Sequence, residues 1–257
     1  MVTSGPPNTA NGAPCVWEPF VHSINGKVLV HYSDQRDPNY GQKLAHQDSK
    51  DLVNWGAYIN DVTFKNYTLR PGMITMAQMG NGKWITTYEV GNFPAPPLGA
   101  SDQYGVHYSI ANSPDNFEAG QDNILIKAAN TGNIPSASPF VQWTPAGGVN
   151  GTVIVSDGSY ESLFLNTQVM LQTPLMLQTP LMQSSQYGAP HAWVEVPNVH
   201  GVEYSTSLMV MPDESEILIF GGGNIYGANP NGTEVTAALF QVPGPKSTVD
   251  TISSCPA

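Results

Sequence analysis

Runs of alternating hydrophobic and polar residues, rich in β-branched and aromatic side chains, occur in pairs along this chain. The clearest pairs are joined by Asn25-Gly26 and Asn81-Gly82, and Asn-Gly between such runs is the strongest short-range signal for a β-hairpin. A looser third pair turns at Asn150-Gly151, and a still looser fourth turns around 213–215. Hairpins that recur every roughly 50–70 residues, each followed by more strand, predict a β-propeller.

The segments that follow two of these hairpins resemble degenerate Asp-boxes, the turns that join outer strands in sialidase-like propellers. They lie at 49–56 and 113–117. In such a turn, Ser and Asp side chains bind backbone amides while an aromatic residue packs between blades. Trp193 is the predicted aromatic of the third repeat. The sequence therefore predicts an all-β fold, one propeller domain over 1–257 with about four recognisable blade units and a Pro/Ser tail at 246–257.

One stretch does not follow the strand pattern. Residues 170–175 are repeated without change at 176–181. The prolines in each copy break any helical period, so we predict a lengthened surface loop.

Composition limits the partners. The formal charge is −11, and only 11% of the 257 residues are charged, which argues against nucleic acid or an anionic membrane surface. No apolar stretch approaches the length of a membrane span, and the N-terminus does not have the pattern of a signal peptide. Cys15 and Cys255 could be two thiols or one disulfide, and the sequence leaves both open.

The repeat indicates where chemistry can occur, because the start of a hairpin's first strand and the end of its second strand share one face. Those positions are Glu18, Arg70, Ser138 and Tyr204 for the starts, and Asp34, Glu89, Asp157 and Gly221 for the ends. In a propeller they would converge on the central channel. The resulting acid-rich set with an arginine predicts a sugar or cation site.

Two glutamates in this set could act as a catalytic pair. Glu89 follows Tyr88 at the end of the second hairpin, and Glu161 follows the end of the third. Retaining glycosidases need two carboxyls about 5–5.5 Å apart. The only two arginines, Arg36 and Arg70, are candidate ligands for hydroxyl or carboxylate groups, with a structural salt bridge as the alternative. The six histidines show no metal-ligand spacing, so we predict no metal and no cofactor.

With these residues in view, the chain resembles glycoside hydrolase family 93, the fungal exo-arabinanases with a sialidase-like six-bladed propeller. The resemblance extends over about residues 5–165 and is carried by Val16-Trp17-Glu18-Pro19-Phe20, Tyr32-Ser33-Asp34-Gln35-Arg36-Asp37-Pro38, Arg70-Pro71-Gly72-Met73, and the segments 5–12, 41–44, 81–89 and 156–158.

The resemblance implies a secreted enzyme that cuts α-1,5-linked L-arabinan from the non-reducing end with retention of configuration. Glu89 and Glu161 are similar in position to the family's two glutamates, and the sequence does not decide which is the nucleophile. We expect a monomer acting on arabinan or arabino-oligosaccharides. The residues expected to bind substrate are Glu18, Asp34, Arg36, Arg70, Tyr88, Asp157 and Tyr204.

The chain departs from the family in one respect: four units are visible where the family has six blades. The first blade and the secretion signal are missing, so an N-terminally shortened relative is expected. A sialidase is a weaker alternative, because its carboxylate site needs three arginines. A sugar-binding or structural propeller without catalysis is the other alternative.

Overall fold

A computed structural model of the protein describes residues 12–93, 104–117, 123–148, 150–167, 193–197, 204–222 and 235–244, together with positions 5, 8 and 10. Regular structure in these ranges is entirely β-strand, and the strands form four antiparallel sheets. Each sheet is one blade, so the prediction of an all-β propeller with four recognisable units is confirmed. Over the same ranges no helix is long and apolar enough to span a membrane.

The strands are consecutive within each blade. Blade 1 consists of β1 (Val16–Ile24), β2 (Lys27–Asp34), β3 (Lys43–Ser49) and β4 (Ile59–Val62). Blade 2 consists of β5 (Arg70–Gln78), β6 (Trp84–Gly91), β7 (Tyr104–Ala111) and β8 (Ile124–Leu125). Blade 3 consists of β9 (Phe140–Thr144), β10 (Thr152–Ser156), β11 (Ser162–Thr167) and β12 (Trp193–Pro197). Blade 4 has β13 (Ser205–Val210), β14 (Glu216–Gly222) and β15 (Val235–Gln241).

All four predicted hairpins are present. In the first, Asn25 and Gly26 both have positive φ, 51° and 72°, the backbone that a two-residue type I′ turn requires. In the second, Gly82 donates its N–H to the carbonyl of Met79 at 2.9 Å. The first strands of successive blades, β1, β5, β9 and β13, are neighbours in space, as expected for strands around a shared channel.

The first strands of blades 1 and 2 each contain a bulge near the channel end. The bulges fall between Trp17 and Phe20 and between Gly72 and Thr75. The residue that follows the first member of each pair is left-handed: Glu18 has φ 56° and Met73 has φ 52°. In blade 3, Ser138 has φ 46° at the same distance before the regular strand.

Glu18, Met73 and Ser138 are therefore equivalent positions, each two residues before the strand resumes its regular pairing. The sequence repeat matched Arg70 with Glu18, which is wrong by three residues. Alternation alone does not reveal the extra residue of a bulge.

Apolar side chains fill the three interfaces between neighbouring blades. The interface of blades 1 and 2 is built mainly from Leu44, Val62, Met76, Trp84 and Phe117. That of blades 2 and 3 contains Tyr108, Ile126, Val155, Phe164 and Trp193. That of blades 3 and 4 contains Ile154, Leu163, Leu208 and Ile219.

The amide-capping part of the Asp-box interpretation is confirmed by the turn at 49–56, whereas Trp55 is partly exposed in that turn. Asp51 Oδ1 accepts hydrogen bonds from the backbone N–H groups of Val53 (2.9 Å) and Asn54 (2.7 Å), and Ser49 Oγ accepts one from Leu52 (2.9 Å). Trp193 is fully buried and packs edge-on against Tyr108 of the preceding blade, with ring centroids 5.6 Å apart. It therefore occupies the predicted position between blades.

Two predictions lie outside the described residues. They are the surface loop at 170–181 and the state of Cys255. Cys15 is buried and is a free thiol among the described residues.

Candidate active site

Glu89 lies near the end of β6, opposite Gly72 of β5, and is partly buried. Its Oε2 accepts a hydrogen bond from the backbone N–H of Ser138, 2.8 Å away in the next blade. Burial raises the pKa of Glu89 to about 7, and the negative charge of Glu18 adds to this rise. The Ser138 hydrogen bond and the charge of Arg70 oppose it. A carboxyl with a pKa this far above its usual range is a strong candidate for proton or glycosyl transfer.

Glu18 forms a matching contact one blade earlier. Its Oε2 accepts hydrogen bonds from the backbone N–H of Met73 (2.8 Å) and from Ser33 Oγ (2.7 Å). Glycine at position 72 makes room for this carboxylate, because a Cβ there would lie only 2.9 Å from Glu18 Oε2. The boundaries of blades 1 and 2 and of blades 2 and 3 thus share one contact. A glutamate carboxylate accepts a hydrogen bond from the amide of the left-handed residue in the following blade, Glu18 from Met73 and Glu89 from Ser138.

Arg70 brings positive charge to the same region. Its Nε and Nη2 lie 3.3 and 3.2 Å from Gln42 Oε1, and its guanidinium carbon is 5.2 Å from the centre of a Trp17 ring. These contacts hold the guanidinium plane, which presents a fixed fork of donors.

Two exposed tyrosines complete the region around Glu89. Burial raises the pKa of the Tyr204 hydroxyl, and the charges of Glu89 and Glu18, with a smaller effect of Tyr104, raise it further. Tyr204 is 55% exposed and Tyr104 is 45% exposed. Tyr204 therefore lies within electrostatic range of Glu18, Glu89 and Tyr104, and the rings of Tyr104 and Tyr204 are exposed. Aromatic faces beside carboxylates and an arginine suit a sugar ring with its hydroxyl groups.

Glu161 is exposed and lies in the loop after β10. Asp157, at the start of that loop, accepts hydrogen bonds from the backbone N–H groups of Ser136 (2.7 Å) and Tyr160 (3.2 Å). Gly158 donates its N–H to the carbonyl of Ala137 at 2.9 Å. The loop bearing Glu161 is thus attached to the segment 136–138, whose last amide binds Glu89. The segment 136–138 therefore contacts both Glu89 and the loop that carries Glu161.

Asp34 and Arg36 pair with each other. Their side chains form a two-pronged ion pair, with Arg36 Nε and Nη2 both 2.8 Å from the Asp34 carboxylate oxygens. They line a separate cavity of about 400 Å³, whose other walls are Asp37, Pro38, Asn39, Lys43 and Tyr58. The alternative of a structural salt bridge for Arg36 is the one found here.

Tyr88 and Asp157 are buried and have structural partners. The Tyr88 ring stacks on His107, and its hydroxyl donates to Asn123. Burial raises the pKa of Asp157 to about 8, although three backbone N–H groups oppose the rise.

Sequence reasoning missed Met73, Gln42 and Tyr104 as members of this region. Met73 and Gln42 carry no charge, and no sequence motif identifies them as site residues. Glycine next to Met73 was the available signal, because Gly72 permits a close approach that any other residue would prevent.

One group among the described residues has the composition of a metal site. His31, His46 and Asp61 are buried together, with ligand atoms within 4.8 Å of one another. The Nδ1 atoms of His31 and His46 lie 3.0 and 2.7 Å from separate oxygens of Asp61. Both Asp61 oxygens and both Nδ1 atoms are thus paired, whereas His31 Nε2 is buried with no hydrogen-bond partner among the described residues; the absence of a metal stays a prediction.

Solved structures of glycoside hydrolases are similar to this chain. The α-L-arabinofuranosidase Arb93A of Fusarium graminearum, as a point mutant in complex with an iminosugar inhibitor, is 32% identical with a TM-score of 0.79; the alignment covers 93% of this chain and 61% of that one. The same fungus's family 93 enzyme with arabinobiose is 31% identical, with a TM-score of 0.78 and the same coverage of both chains. An α-L-arabinanase of Penicillium chrysogenum with arabinobiose is 30% identical, with a TM-score of 0.77, and the alignment covers 93% of this chain and 62% of that one.

The fold is thus a β-propeller similar to those of solved glycoside hydrolases. Within that class, the chain is similar to the arabinofuranosidases and arabinanases of glycoside hydrolase family 93, and the predicted resemblance is confirmed. The chain spans about three fifths of the length of these relatives. Comparison with models of protein families finds no match, and neither does comparison with curated protein sequences.

Proposed function

We propose that this protein is a retaining glycoside hydrolase that acts from the non-reducing end of α-1,5-linked L-arabinan. The observation that carries the proposal is the position of Glu89: a partly buried carboxyl with a raised pKa, beside Arg70 and two exposed tyrosines. Similarity to enzymes solved with arabinobiose supports the sugar.

In this proposal Glu89 is the nucleophile and Glu161 is the acid/base. A Glu89 oxygen attacks the anomeric carbon while Glu161 gives its proton to the departing glycosidic oxygen. Water then attacks the same carbon, Glu161 takes its proton, and the bond to Glu89 breaks. Two inversions give net retention.

The hold on Glu89 and the exposure of Glu161 favour this assignment of roles, although a carboxyl with a pKa of about 7 also suits an acid/base. A nucleophile must be held firmly against the sugar, and Glu89 is held by a backbone amide in a partly buried position. An acid/base must exchange its proton with water between the two steps, and Glu161 is exposed. Partial removal of water around Glu89 also strengthens its interaction with a developing positive charge.

Arg70, Tyr104 and Tyr204 are the proposed sugar-binding residues. The planar guanidinium can donate to two neighbouring hydroxyl oxygens, and the exposed rings can pack against the arabinose ring. Asp34, Arg36, Tyr88 and Asp157 have a structural role in this proposal, because their polar groups or rings already have partners within the protein.

The substrate and the family resemblance also imply a place of action. Arabinan is a plant cell-wall polymer, so we place the protein outside the cell, as a monomer that needs no cofactor.

The test combines inactivation with chemical rescue. Glu89→Gln and Glu161→Gln should each lower arabino-oligosaccharide release from linear arabinan by about a hundredfold or more. Glu216→Gln, at the start of β14, should keep wild-type turnover. With an activated aryl arabinoside, azide should rescue Glu89→Ala with an inverted azide product and Glu161→Ala with a retained one. Wild-type turnover by either glutamine variant contradicts the pair, and exchanged product configurations reverse the roles.

A second function is a sugar-binding propeller without catalysis, favoured by the exposed rings of Tyr104 and Tyr204. Calorimetric binding of arabinobiose by the wild type, with no cleavage of arabinan over days, would establish it. The sialidase alternative lacks support, since the sequence has two arginines and a sialic acid carboxylate site needs three.

A further inference from the structure

The left-handed residues of three successive blades are joined by hydrogen bonds that end at Glu89. The carboxylate of Glu18 accepts from the Met73 amide at 2.8 Å. The hydroxyl of Ser138 then donates to Met73 Sδ at 3.3 Å. The amide of Ser138 donates to Glu89 at 2.8 Å. A continuous line of contacts thus runs from Glu18 across blade 2 to the proposed nucleophile.

We propose that Glu18 is a positioning residue, which sets the placement and the ionisation of Glu89 through Met73 and Ser138 and through its own charge. This inference rests on the proposed function of Glu89 and deepens it. It differs from the sequence expectation that Glu18 binds substrate.

The contacts of Glu18 are those of a supporting group. One oxygen, Oε2, receives both Ser33 Oγ and the Met73 amide, and Gly72 lacks the Cβ that would block it. Glu18 itself has a left-handed backbone, which is uncommon for a residue other than glycine. Such strain persists only where surrounding structure fixes it, and here the fixing contacts come from blades 1 and 2.

The charged and titratable groups that act on Glu89 come from other elements. Glu18 on β1 disfavours its ionised form, and Arg70 on β5 favours it. The Tyr204 hydroxyl, before β13, is the third such group, because the charge of Glu89 helps to raise the pKa of Tyr204. Removal of the Glu18 charge leaves Arg70 unopposed, so Glu89 should lose its proton at lower pH.

Two substitutions at position 18 separate charge from support. Glu18→Gln keeps an oxygen that can accept from Met73 but removes the charge. Its kcat should fall less than that of Glu18→Ala, and the limb of the pH–rate profile that reports Glu89 should move to lower pH. Glu18→Ala should move that limb in the same direction and also lower kcat by about tenfold, since an unsatisfied amide and a loosened Ser138 disturb Glu89.

Two further substitutions test the connection itself. Met73→Leu and Ser138→Ala each remove the same hydroxyl–sulfur hydrogen bond and leave the backbone donor to Glu89 in place. Each should lower kcat severalfold with little effect on KM. The double variant should be no worse than either single one, because the two residues act through one contact.

A direct titration separates this inference from the proposed function. NMR of ¹³C-carboxyl-labelled glutamate, with the Glu89 signal assigned by its loss in Glu89→Gln, reports the ionisation of Glu89 whether or not the protein is an enzyme. Glu18→Gln should lower the pKa of Glu89, and Glu216→Gln should leave it unchanged. An unchanged Glu89 titration in Glu18→Gln overturns the inference. A lowered pKa in a protein that cleaves no arabinan supports it and rejects only the enzyme.

Discussion

The carboxylate of Glu89 and the backbone N–H of Ser138 are 2.8 Å apart across the boundary between blades 2 and 3. Ser138 has a left-handed backbone, so its amide points to a place that a regular strand would not supply. The proposed catalytic group is therefore positioned by the neighbouring blade as well as by its own. A change in the packing of blades 2 and 3 should affect activity even where it touches no substrate.

The stability of the protein should depend on the ionisation of Glu89. Its pKa is about 7 in the folded protein and near the ordinary 4.5 in the unfolded chain. Between those values the folded state binds more protons, so its stability falls as pH rises. From pH 5 to pH 8, the free energy of unfolding of the wild type in urea should fall by about 1–3 kcal/mol relative to that of Glu89→Gln. The stability difference between the wild type and the control Glu216→Gln should be the same at both pH values. The same result for Glu89→Gln would contradict the prediction.

The two arginines should behave differently on substitution by lysine. Arg70→Lys loses the fork that spans Gln42 and the flat contact with Trp17, so KM for arabino-oligosaccharides should rise about tenfold with a smaller change in kcat. Arg36→Lys disturbs an internal ion pair with Asp34 and should leave KM close to the wild-type value. Michaelis kinetics of both variants test this difference. A larger change in KM for Arg36→Lys would indicate that the sugar binds in the cavity beside Asp34.

Asp61 should contribute strongly to stability, because both of its oxygens pair with buried imidazoles. Burial raises its pKa, but the hydrogen bonds from His31 and His46 outweigh this and hold the pKa below its usual value. Its contribution is therefore present at neutral pH and is lost only as pH falls through the lowered pKa.

Asp61→Asn leaves one imidazole N–H facing another donor and should cost about 3 kcal/mol in urea unfolding at pH 7. Asp213→Asn, on the exposed turn before β14, should cost about 1 kcal/mol or less. Equal effects of the two substitutions would show that the histidine pair adjusts without Asp61.

The two Asp-box-type tryptophans allow a matched comparison of core and surface. Trp193→Ala removes a fully buried ring from the interface of blades 2 and 3 and should destabilise the protein by about 3–5 kcal/mol. Trp55→Ala, at a partly exposed turn, should cost far less. Thermal unfolding followed by circular dichroism measures both, and similar losses would indicate that the turn at 49–56 packs more tightly than its exposure suggests.

The hairpins and outer turns could be predicted because their signals are local. Asn25-Gly26 determines a turn by its own backbone preference, and Asp51 binds amides only two and three residues away. Such features depend little on the rest of the chain, so the blade count and the Asp-box interpretation were reliable.

The detailed site could be predicted only in part, because it depends on contacts between blades. Gly72 indicates that some group approaches the backbone next to Met73, but it does not indicate that this group is Glu18, a residue 55 positions before Met73. Tyr88 was expected near the substrate because it precedes Glu89, but adjacent residues of a strand face opposite sides, and Tyr88 faces the core. Asp34 and Arg36 form an ion pair with each other. Their positions at the channel end of a hairpin did not predict this pairing.

The equivalence of the bulges has a consequence for symmetry. Ser33 and Glu89 each pair with the residue just before the left-handed position of their blade, Trp17 and Gly72, and Gly158 contacts the corresponding Ala137. The same backbone position is thus occupied by Ser33 in blade 1, Glu89 in blade 2 and Gly158 in blade 3. Of these three equivalent positions, only the one in blade 2 carries the carboxyl proposed as nucleophile, so under the proposed function a sugar would bind in one orientation in the channel. Moving a glutamate to position 33 would offer a second orientation one blade away.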